Sequence, residues 1–259
     1  MMATGQSLKN VNVTLLLLTV IFTSCSKIQI TSPSSQYLSP EAQGKLGSGS
    51  IRLEQSAGAE GTLDFTGDRL DNPMVMRNNV TPLSAAADIG ILEKLDIVFK
   101  SNGNAPSTTV LKYQILGDDR LKAKKDNLSL SVAIGYGEEE SSELESDLFN
   151  GSIDASITQQ LLEASIIIGK RTSDDSLLYS SLQAFKQDAR FKLNAPTNLN
   201  LHQKTFRLNT WVYGLSFGAI RYFTSAYVNL ELSAQTTDWN HNDPTTFGFA
   251  TLAIGTKWD

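Results

Sequence analysis

The chain has 259 residues, a net charge of −5 and 41% hydrophobic residues. Acidic and basic residues are mixed along it without a basic patch, so composition gives no support for nucleic-acid binding. After residue 25 no apolar run approaches the roughly 18 residues of a transmembrane helix, so a membrane crossing would have to be made by strands.

The N-terminal segment has the pattern of a secretory signal. Val13–Phe22 is apolar except for two threonines, and it is too short for a membrane helix, which needs about 20 residues. The small residues Thr23 and Ser24 follow and lead to Cys25, the only cysteine of the chain. Small residues after an apolar core are where a signal peptidase cuts, so the pattern predicts a signal peptide over residues 1–24.

Phe22-Thr23-Ser24-Cys25 resembles the lipobox of bacterial lipoproteins, in which the cysteine becomes the lipid-modified first residue. Members usually carry Leu where this chain has Phe22. The resemblance implies lipidation at Cys25. Because an Asp at the next position favours retention in the inner membrane, Ser26 implies sorting to the outer membrane by the lipoprotein machinery. The alternative is ordinary cleavage, which would leave a free thiol in an oxidising compartment.

Residues 25–49 are rich in Ser, Pro, Gln and Gly and show no apolar period. This composition predicts a flexible tether that carries the lipid on the periplasmic side. Residues 50–259 remain for the folded part, which is the size of a single barrel domain.

The folded part alternates with period two. Leu128–Tyr136 places Leu, Val, Ile and Tyr opposite Ser, Ala and Gly, and Tyr227–Gln235 and Leu83–Ile91 alternate in the same way. Unbroken alternation over this length predicts strands. Less regular segments predict seven more: Ile51–Leu63, Leu95–Lys100, Thr109–Leu116, Ser156–Lys170, Leu177–Asp188, Trp211–Phe223 and Thr246–Trp258. A change of apolar parity between Ile157 and Leu162 predicts a β-bulge.

Short and long connections alternate between these strands. Residues 93–94, 173–175 and 224–225 are tight, whereas 66–82, 137–152, 189–210 and 238–245 are longer and polar. Outer-membrane barrels have short periplasmic turns and longer external loops. We therefore predict an all-β fold, an antiparallel transmembrane β-barrel of ten strands, with eight as the alternative. The connection 117–127 must then be periplasmic, although it is long for that side.

The polar faces of the predicted strands carry Ser, Gly and Ala with scattered charges. Such faces suit a narrow lumen in which ions pair, while aromatic residues at strand ends suit the two membrane interfaces. The predicted lumen-facing charges are Asp88, Lys100, Lys112, Glu163 and Glu231. The predicted interfacial aromatics are Tyr136, Trp211, Tyr213, Tyr222, Phe223, Tyr227, Trp239 and Trp258. The alternative is a lipocalin-like barrel whose apolar face turns inward around a ligand.

Three stretches, Gly90–Asp96, Leu111–Gln114 and Ser131–Gly137, resemble the hairpins of small bacterial outer-membrane β-barrel proteins. A last strand ending in Trp258 resembles that family's terminal aromatic, which helps the barrel-assembly machinery dock, although Asp259 follows it here. The resemblance implies contact with outer-membrane lipid and assembly by that machinery.

Residues that could carry chemistry are few. His241 lies between Asp238 and Asp243, and a carboxylate could orient it as a general base at the barrel rim. No second acidic pair accompanies it, so these three are weak catalytic candidates. His202 lacks the nearby Ser of a deacylase motif, and the acidic run 138–147 lacks the spacing of a calcium loop.

The sequence therefore indicates no cofactor, no metal site and no identifiable extracellular partner. A ten-stranded bore is barely wider than its own side chains, which favours a plugged interior over an open channel. We predict a structural, adhesive or surface-loop interaction role. A rim hydrolase of lipid or peptide and a carrier of a small apolar ligand are the alternatives.

Overall fold

The structure is a computed structural model, and it describes residues 28–31, 37–63, 75–80, 83–102, 105–144, 154–194, 204–239 and 244–259. These residues form twelve strands: β1 (Ile28–Thr31), β2 (Gly49–Leu63), β3 (Val75–Val80), β4 (Ser84–Leu92), β5 (Leu95–Asn102), β6 (Ala105–Leu116), β7 (Leu128–Leu144), β8 (Asp154–Ser173), β9 (Ser176–Asn194), β10 (Lys204–Tyr222), β11 (Ala226–Trp239) and β12 (Thr245–Trp258).

Ten of the strands form a closed antiparallel ring. The order runs from β4 through consecutive neighbours to β12, then to β2, which pairs with β4 and closes the barrel. Closure gives each strand of the ring a hydrogen-bonded neighbour on both sides, which is what strands inside a bilayer require. The predicted ten-stranded barrel is confirmed, and the alternative of eight strands is wrong.

The two remaining strands extend β2 beyond the ring. β3 pairs with residues 57–62 of β2, and β1 pairs with residues 60–63. We call the end of the barrel with the short connections the turn end, and the opposite end the loop end. β2 starts at the turn end with Gly49, so β1 lies at the loop end. β1 therefore lies at the end of the barrel opposite to the end where residues 37–48 lead into β2.

The outer face of the barrel is apolar. Leu182, Leu232 and Ile254 are each 59% exposed, whereas Arg52 on the inner face is 1% exposed. In water such a surface would be strongly unfavourable, but it matches the lipid-facing band of a membrane barrel. The lipocalin-like arrangement is therefore wrong, because the apolar face points outward. In the described part of the chain, there is no helix long and apolar enough to cross a bilayer.

The aromatic residues divide between the two faces. Tyr136, Trp211, Tyr213, Phe223 and Trp258 point outward and are at least 38% exposed. Tyr222 and Tyr227 were predicted at an interface, but they are buried inside the barrel with their rings 6.1 Å apart. The prediction fails for these two because they lie on the inward-facing parity of β10 and β11.

The predicted bulge in β8 is absent. The pairing of β8 with β7 and β9 runs without a shift from Asp154 to Arg171. Ile157 and Leu161 instead point into the barrel and are buried. Their apolar character breaks the alternation because this part of the inner wall is itself apolar.

Candidate functional site: a bore closed by the N-terminal segment

Residues 37–48, which we call the plug, lie inside the bore at its turn end. The sequence assigned them to a flexible tether because they are polar and aperiodic. Residues 37–44 are nevertheless buried, and Glu41 and Ala42 have at most 1% of their surface exposed. A polar, irregular segment suits the lumen of this barrel because the inner wall is itself polar and charged. Only residues 45–47 are exposed, at the turn where the plug leads into β2.

Glu41 is joined to the barrel wall by a two-pronged ion pair. Arg171 donates from Nε to Oε1 at 2.8 Å and from Nη2 to Oε2 at 2.6 Å. The guanidinium also lies over the ring of Tyr222, 4.8 Å from its centroid. Two parallel charge-assisted hydrogen bonds fix both the position and the orientation of the carboxylate.

The main chain of the plug is held by polar side chains of the wall. Lys112 donates to the carbonyl oxygens of Ser39 and Glu41 at 3.1 and 3.0 Å. The same ammonium pairs with Asp96 at 2.9 Å, and that carboxylate accepts the N–H of Gln43 at 3.1 Å. Further bonds run from the Ala42 N–H to Gln114 Oε1 and from Ser131 Oγ to the Pro40 carbonyl. These bonds satisfy polar main-chain groups that would otherwise be buried without partners.

Arg52 binds the end of the plug that lies nearer the loop end of the barrel. Its Nη2 donates to the Tyr37 carbonyl at 2.8 Å, and its guanidinium lies 4.8 Å from the centroid of the Tyr37 ring. Asp88 at 2.5 Å and Glu54 balance its charge. The Tyr37 ring packs against Tyr179 with centroids 5.5 Å apart.

The connection 117–127 covers the plug at the turn end of the barrel. The Arg120 N–H donates to the Ala42 carbonyl, and its guanidinium binds Gln43 Oε1 at 2.9 Å and Asp259 at 3.1 Å. Gly44 has a φ of +101°, and a Cβ there would lie 2.5 Å from Asp119 Oδ1. Only glycine fits this position without strain. The unusual length of this connection is thus explained, because it closes the turn end of the bore.

Above the plug, the bore is crossed by paired polar side chains. Lys100 and Glu163 form an ion pair at 2.6 Å, and Thr108 donates to the second carboxylate oxygen at 3.0 Å. Tyr179 donates to Glu231 at 2.8 Å. Several other buried polar atoms of the inner wall have no protein partner among the described residues: Gln183 Oε1, Asn229 Nδ2, Ser233 Oγ and Thr251 Oγ1. Such groups are where internal water molecules bind in proteins.

Nearer the loop end, the bore is narrowed by an apolar cluster of Leu161, Phe185 and Val212, each at most 1% exposed. Gln159 and Gln187 join across β8 and β9 at the same height, with an amide hydrogen bond of 3.1 Å. The described part of the bore is therefore occupied at three levels: by the plug, by ion pairs and by apolar side chains.

The five predicted lumen charges all lie on the inner wall, and each is at most 5% exposed: Asp88, Lys100, Lys112, Glu163 and Glu231. The alternation of the sequence with period two was sufficient to predict this position. What sequence reasoning missed is the plug and the residues that bind it, notably Glu41 and Arg171. For Arg171 the sequence does give a signal, because it continues the alternation that places side chains of β8 in the bore. Glu41 gives none, because it lies in a segment without periodicity.

The structure does not test the predicted lipidation site or the catalytic candidates. Cys25, His202, His241 and Asp243 lie outside the described residues, and for Asp238 the description covers only the main chain. Among the described side chains, no group of three or more His, Cys, Asp or Glu residues could hold a metal ion.

A closed ring of antiparallel strands with an apolar outer band and a charged, filled interior defines a class of protein, the transmembrane β-barrel of the bacterial outer membrane. A search of solved structures matches the chain to Ail, the attachment invasion locus protein of Yersinia pestis, to the outer membrane protease OmpT from Escherichia coli, and to the copper transporter OprC.

Ail is 14% identical over 83% of this chain and 100% of its own, with a TM-score of 0.36. OmpT is 10% identical over 82% and 92%, with a TM-score of 0.39. OprC is 10% identical over 88% and 47%, with a TM-score of 0.37. At these identities and TM-scores the likeness carries no argument about this chain. No family model matches the sequence, and no curated protein matches it.

Proposed function

We propose that the protein is an outer-membrane lipoprotein, acylated at Cys25, whose closed barrel holds a set of surface loops in the membrane. Its role in this proposal is structural, adhesive or otherwise exerted through loop contacts, and not transport through the bore. The observation that carries the proposal is the plug, because Glu41 and the main chain around it are bound by four side chains on three strands of the wall.

The charges of the bore support a closed state. Each of four buried cations of the wall faces a carboxylate: Arg52 with Asp88, Lys100 with Glu163, Lys112 with Asp96, and Arg171 with Glu41. An ion pathway needs binding groups that can release their ion, and groups that neutralise one another in pairs do not provide one. The proposal includes assembly by the barrel-assembly machinery and sorting as a lipoprotein.

The test of the closed state is conductance of the purified full-length protein in planar bilayers. We expect no stepwise conductance from the native protein. We expect openings from the Glu41→Ala/Lys112→Met variant, in which the plug loses its ion pair and the donor to two of its carbonyls. Steady conductance of the native protein would contradict the proposal.

The test of acylation is metabolic labelling with an alkyne fatty acid. We expect label on the native protein and none on Cys25→Ala. Mature protein that carries a free thiol at Cys25 would contradict the lipoprotein part and leave the closed bore unaffected.

A further inference from the structure

We propose that the N-terminal segment is threaded through the bore and emerges at the loop end, so that Cys25 lies on the outer side of the membrane. Where Cys25 carries a lipid, the acyl chains then insert from the outer leaflet. The lipid part of this inference depends on the proposed function, whereas the path of the chain does not.

The lower end of the path is fixed at the turn end of the barrel. The Gly47 N–H donates to the Gly90 carbonyl at 3.0 Å, and Trp258 Nε1 donates to the Gly47 carbonyl at 2.8 Å. Gly44 and Gly47 both have φ in the left-handed region, at +101° and +82°. The chain therefore reverses its direction here. The plug runs through the bore towards the turn end, and β2 runs back towards the loop end.

From this reversal towards the N-terminus, the plug runs from the turn end towards the loop end of the bore. Gln43 contacts Ser50, the second residue of β2, and Asp96, close to the turn before β5. Tyr37 contacts Arg52 and Tyr179, which lie further from the turns. The direction from Gln43 to Tyr37 is thus away from the turn end.

The next described residues upstream already lie at the loop end. Thr31 is opposite Glu60 and Ile28 is opposite Leu63, the last residue of β2. Glu60 is eight residues beyond Arg52. On a strand tilted by about 40° these residues rise about 20 Å along the barrel axis. The six peptide units from Thr31 to Tyr37 span at most about 20 Å. The connection from Thr31 to Tyr37 therefore has no spare length for a route around the outside of the barrel.

β1 also has a defined place in the wall. β3 leads directly into β4 and pairs with β2 on the same side as β4. Because β1 pairs with residues of β2 that already pair with β3, it must use the opposite edge, which faces β12. In the described residues, pairing of β12 with β2 ends at Thr251 and Ser56. β1 thus occupies an edge of β2 that β12 leaves free.

Cys25 is three residues before Ile28 and cannot be more than about 11 Å from it. This distance keeps the cysteine near the rim at the loop end, where it can reach the outer interface of the membrane. It is too short to return to the turn end.

Accessibility of an epitope tag on intact cells tests the inference. One variant carries the tag between Lys27 and Ile28, and a matched control carries it between Asp174 and Asp175, in an exposed turn at the turn end. We expect antibody to bind the first variant on intact cells, and the control only after permeabilisation of the outer membrane. An N-terminal tag that becomes accessible only together with the control would overturn the proposal.

A disulfide test keeps the result interpretable if the tag disturbs folding. Gln29 and Thr62 are register partners, so the Gln29→Cys/Thr62→Cys variant should form an intramolecular disulfide, detected as a mobility shift reversed by reductant. The control Gln29→Cys/Ser50→Cys, with its second cysteine at the turn end, should not. A disulfide in the control alone would overturn the path. Fatty-acid labelling of the same proteins reports acylation separately, so a threaded but unacylated chain would refute only the lipoprotein proposal.

Discussion

Glu41 is the only acidic residue of the plug, and its side chain is fully enclosed. Replacing it with Ala would leave the guanidinium of Arg171 buried without its partner, a change that costs about 3–5 kcal/mol. We expect the loss to appear as weaker docking of the plug.

Hydrogen exchange at the Ala42 and Gln43 amides, which donate to Gln114 and Asp96, measures this docking. We expect exchange at least about 100-fold faster in Glu41→Ala, as that energy implies. The control is Glu93→Gln, which alters an exposed ion pair outside the bore and should leave exchange unchanged. Equal protection in Glu41→Ala and the native protein would show that the pair does not hold the plug.

The buried pair of Lys100 and Glu163 should show strong coupling. Lys100→Met or Glu163→Leu alone leaves one charge buried, at about 3–5 kcal/mol, whereas the double variant removes both charges and recovers most of the loss. Urea unfolding in detergent measures the four stabilities. The same cycle at Asp126 and Lys170, an exposed pair at 3.1 Å, should give a coupling of about 0.5 kcal/mol or less. Additive losses at the buried pair would contradict the expected coupling.

Glu93 provides a pH-dependent contact at the turn end. The hydrogen bond from Lys122 lowers the pKa of Glu93 below its usual 4.5. Because the pKa is lower in the folded state, the contact stabilises the fold above the ordinary carboxyl range and is lost as the pH falls below it. We expect the ¹³C titration of Glu93 to have its midpoint below 4.5 and to return to the ordinary value in Lys122→Met. An unchanged midpoint in that variant would exclude Lys122 as the cause.

The inward charges illustrate what the sequence can predict at this scale. Alternation fixes which face a residue occupies, so Lys112 could be assigned to the bore from its parity. Its partners could not be predicted, because they are Asp96 on the neighbouring strand and two carbonyl groups more than 70 residues away in the chain. Pairing across a closed barrel depends on register, and a single sequence does not specify register.

At the scale of strands, β8 shows where the alternation rule breaks down. The rule assumed a uniformly polar inner wall, so Ile157 and Leu161 suggested a shift of register. The strand is regular instead, and the two residues face the bore, Leu161 in the cluster with Phe185 and Val212. Alternation separates the residues of a strand into two faces, but it cannot predict that part of the inner face is apolar.

Glycines on the inner wall set how closely side chains of neighbouring strands can cross. A Cβ on Gly218 would overlap the ring of Tyr179, whose hydroxyl binds Glu231. We expect Gly218→Ala to destabilise the barrel by about 1–3 kcal/mol, because the ring must move in a packed interior. Gly248→Ala is the control, since its Cβ would meet nothing closer than 4.0 Å. Urea midpoints measure both, and equal midpoints would contradict the close packing at Gly218.

At the scale of the whole molecule, strand number and the plug are connected. A ten-stranded ring leaves more room than eight strands, and here the side chains of the wall share that room with a segment of main chain. The sequence predicted a filled bore but assigned the filling to wall side chains alone. A segment with no periodicity gives no sign of being buried, because its contacts come from the wall and not from its own pattern.

The outer band determines where the molecule resides, and its tolerance of charge can be measured. Leu232 lies near the middle of the band on β11 and is 59% exposed. In lipid, Leu232→Arg should lower the free energy of unfolding by about 2–4 kcal/mol, the cost of a cation near the centre of the bilayer. Leu46→Arg is the matched control, because Leu46 is 77% exposed in the plug's turn and faces water. Urea unfolding from phosphatidylcholine vesicles compares the two. If Leu232→Arg were tolerated as well as Leu46→Arg, that part of the surface would not face hydrocarbon, and the depth of the barrel in the membrane would have to be reassigned.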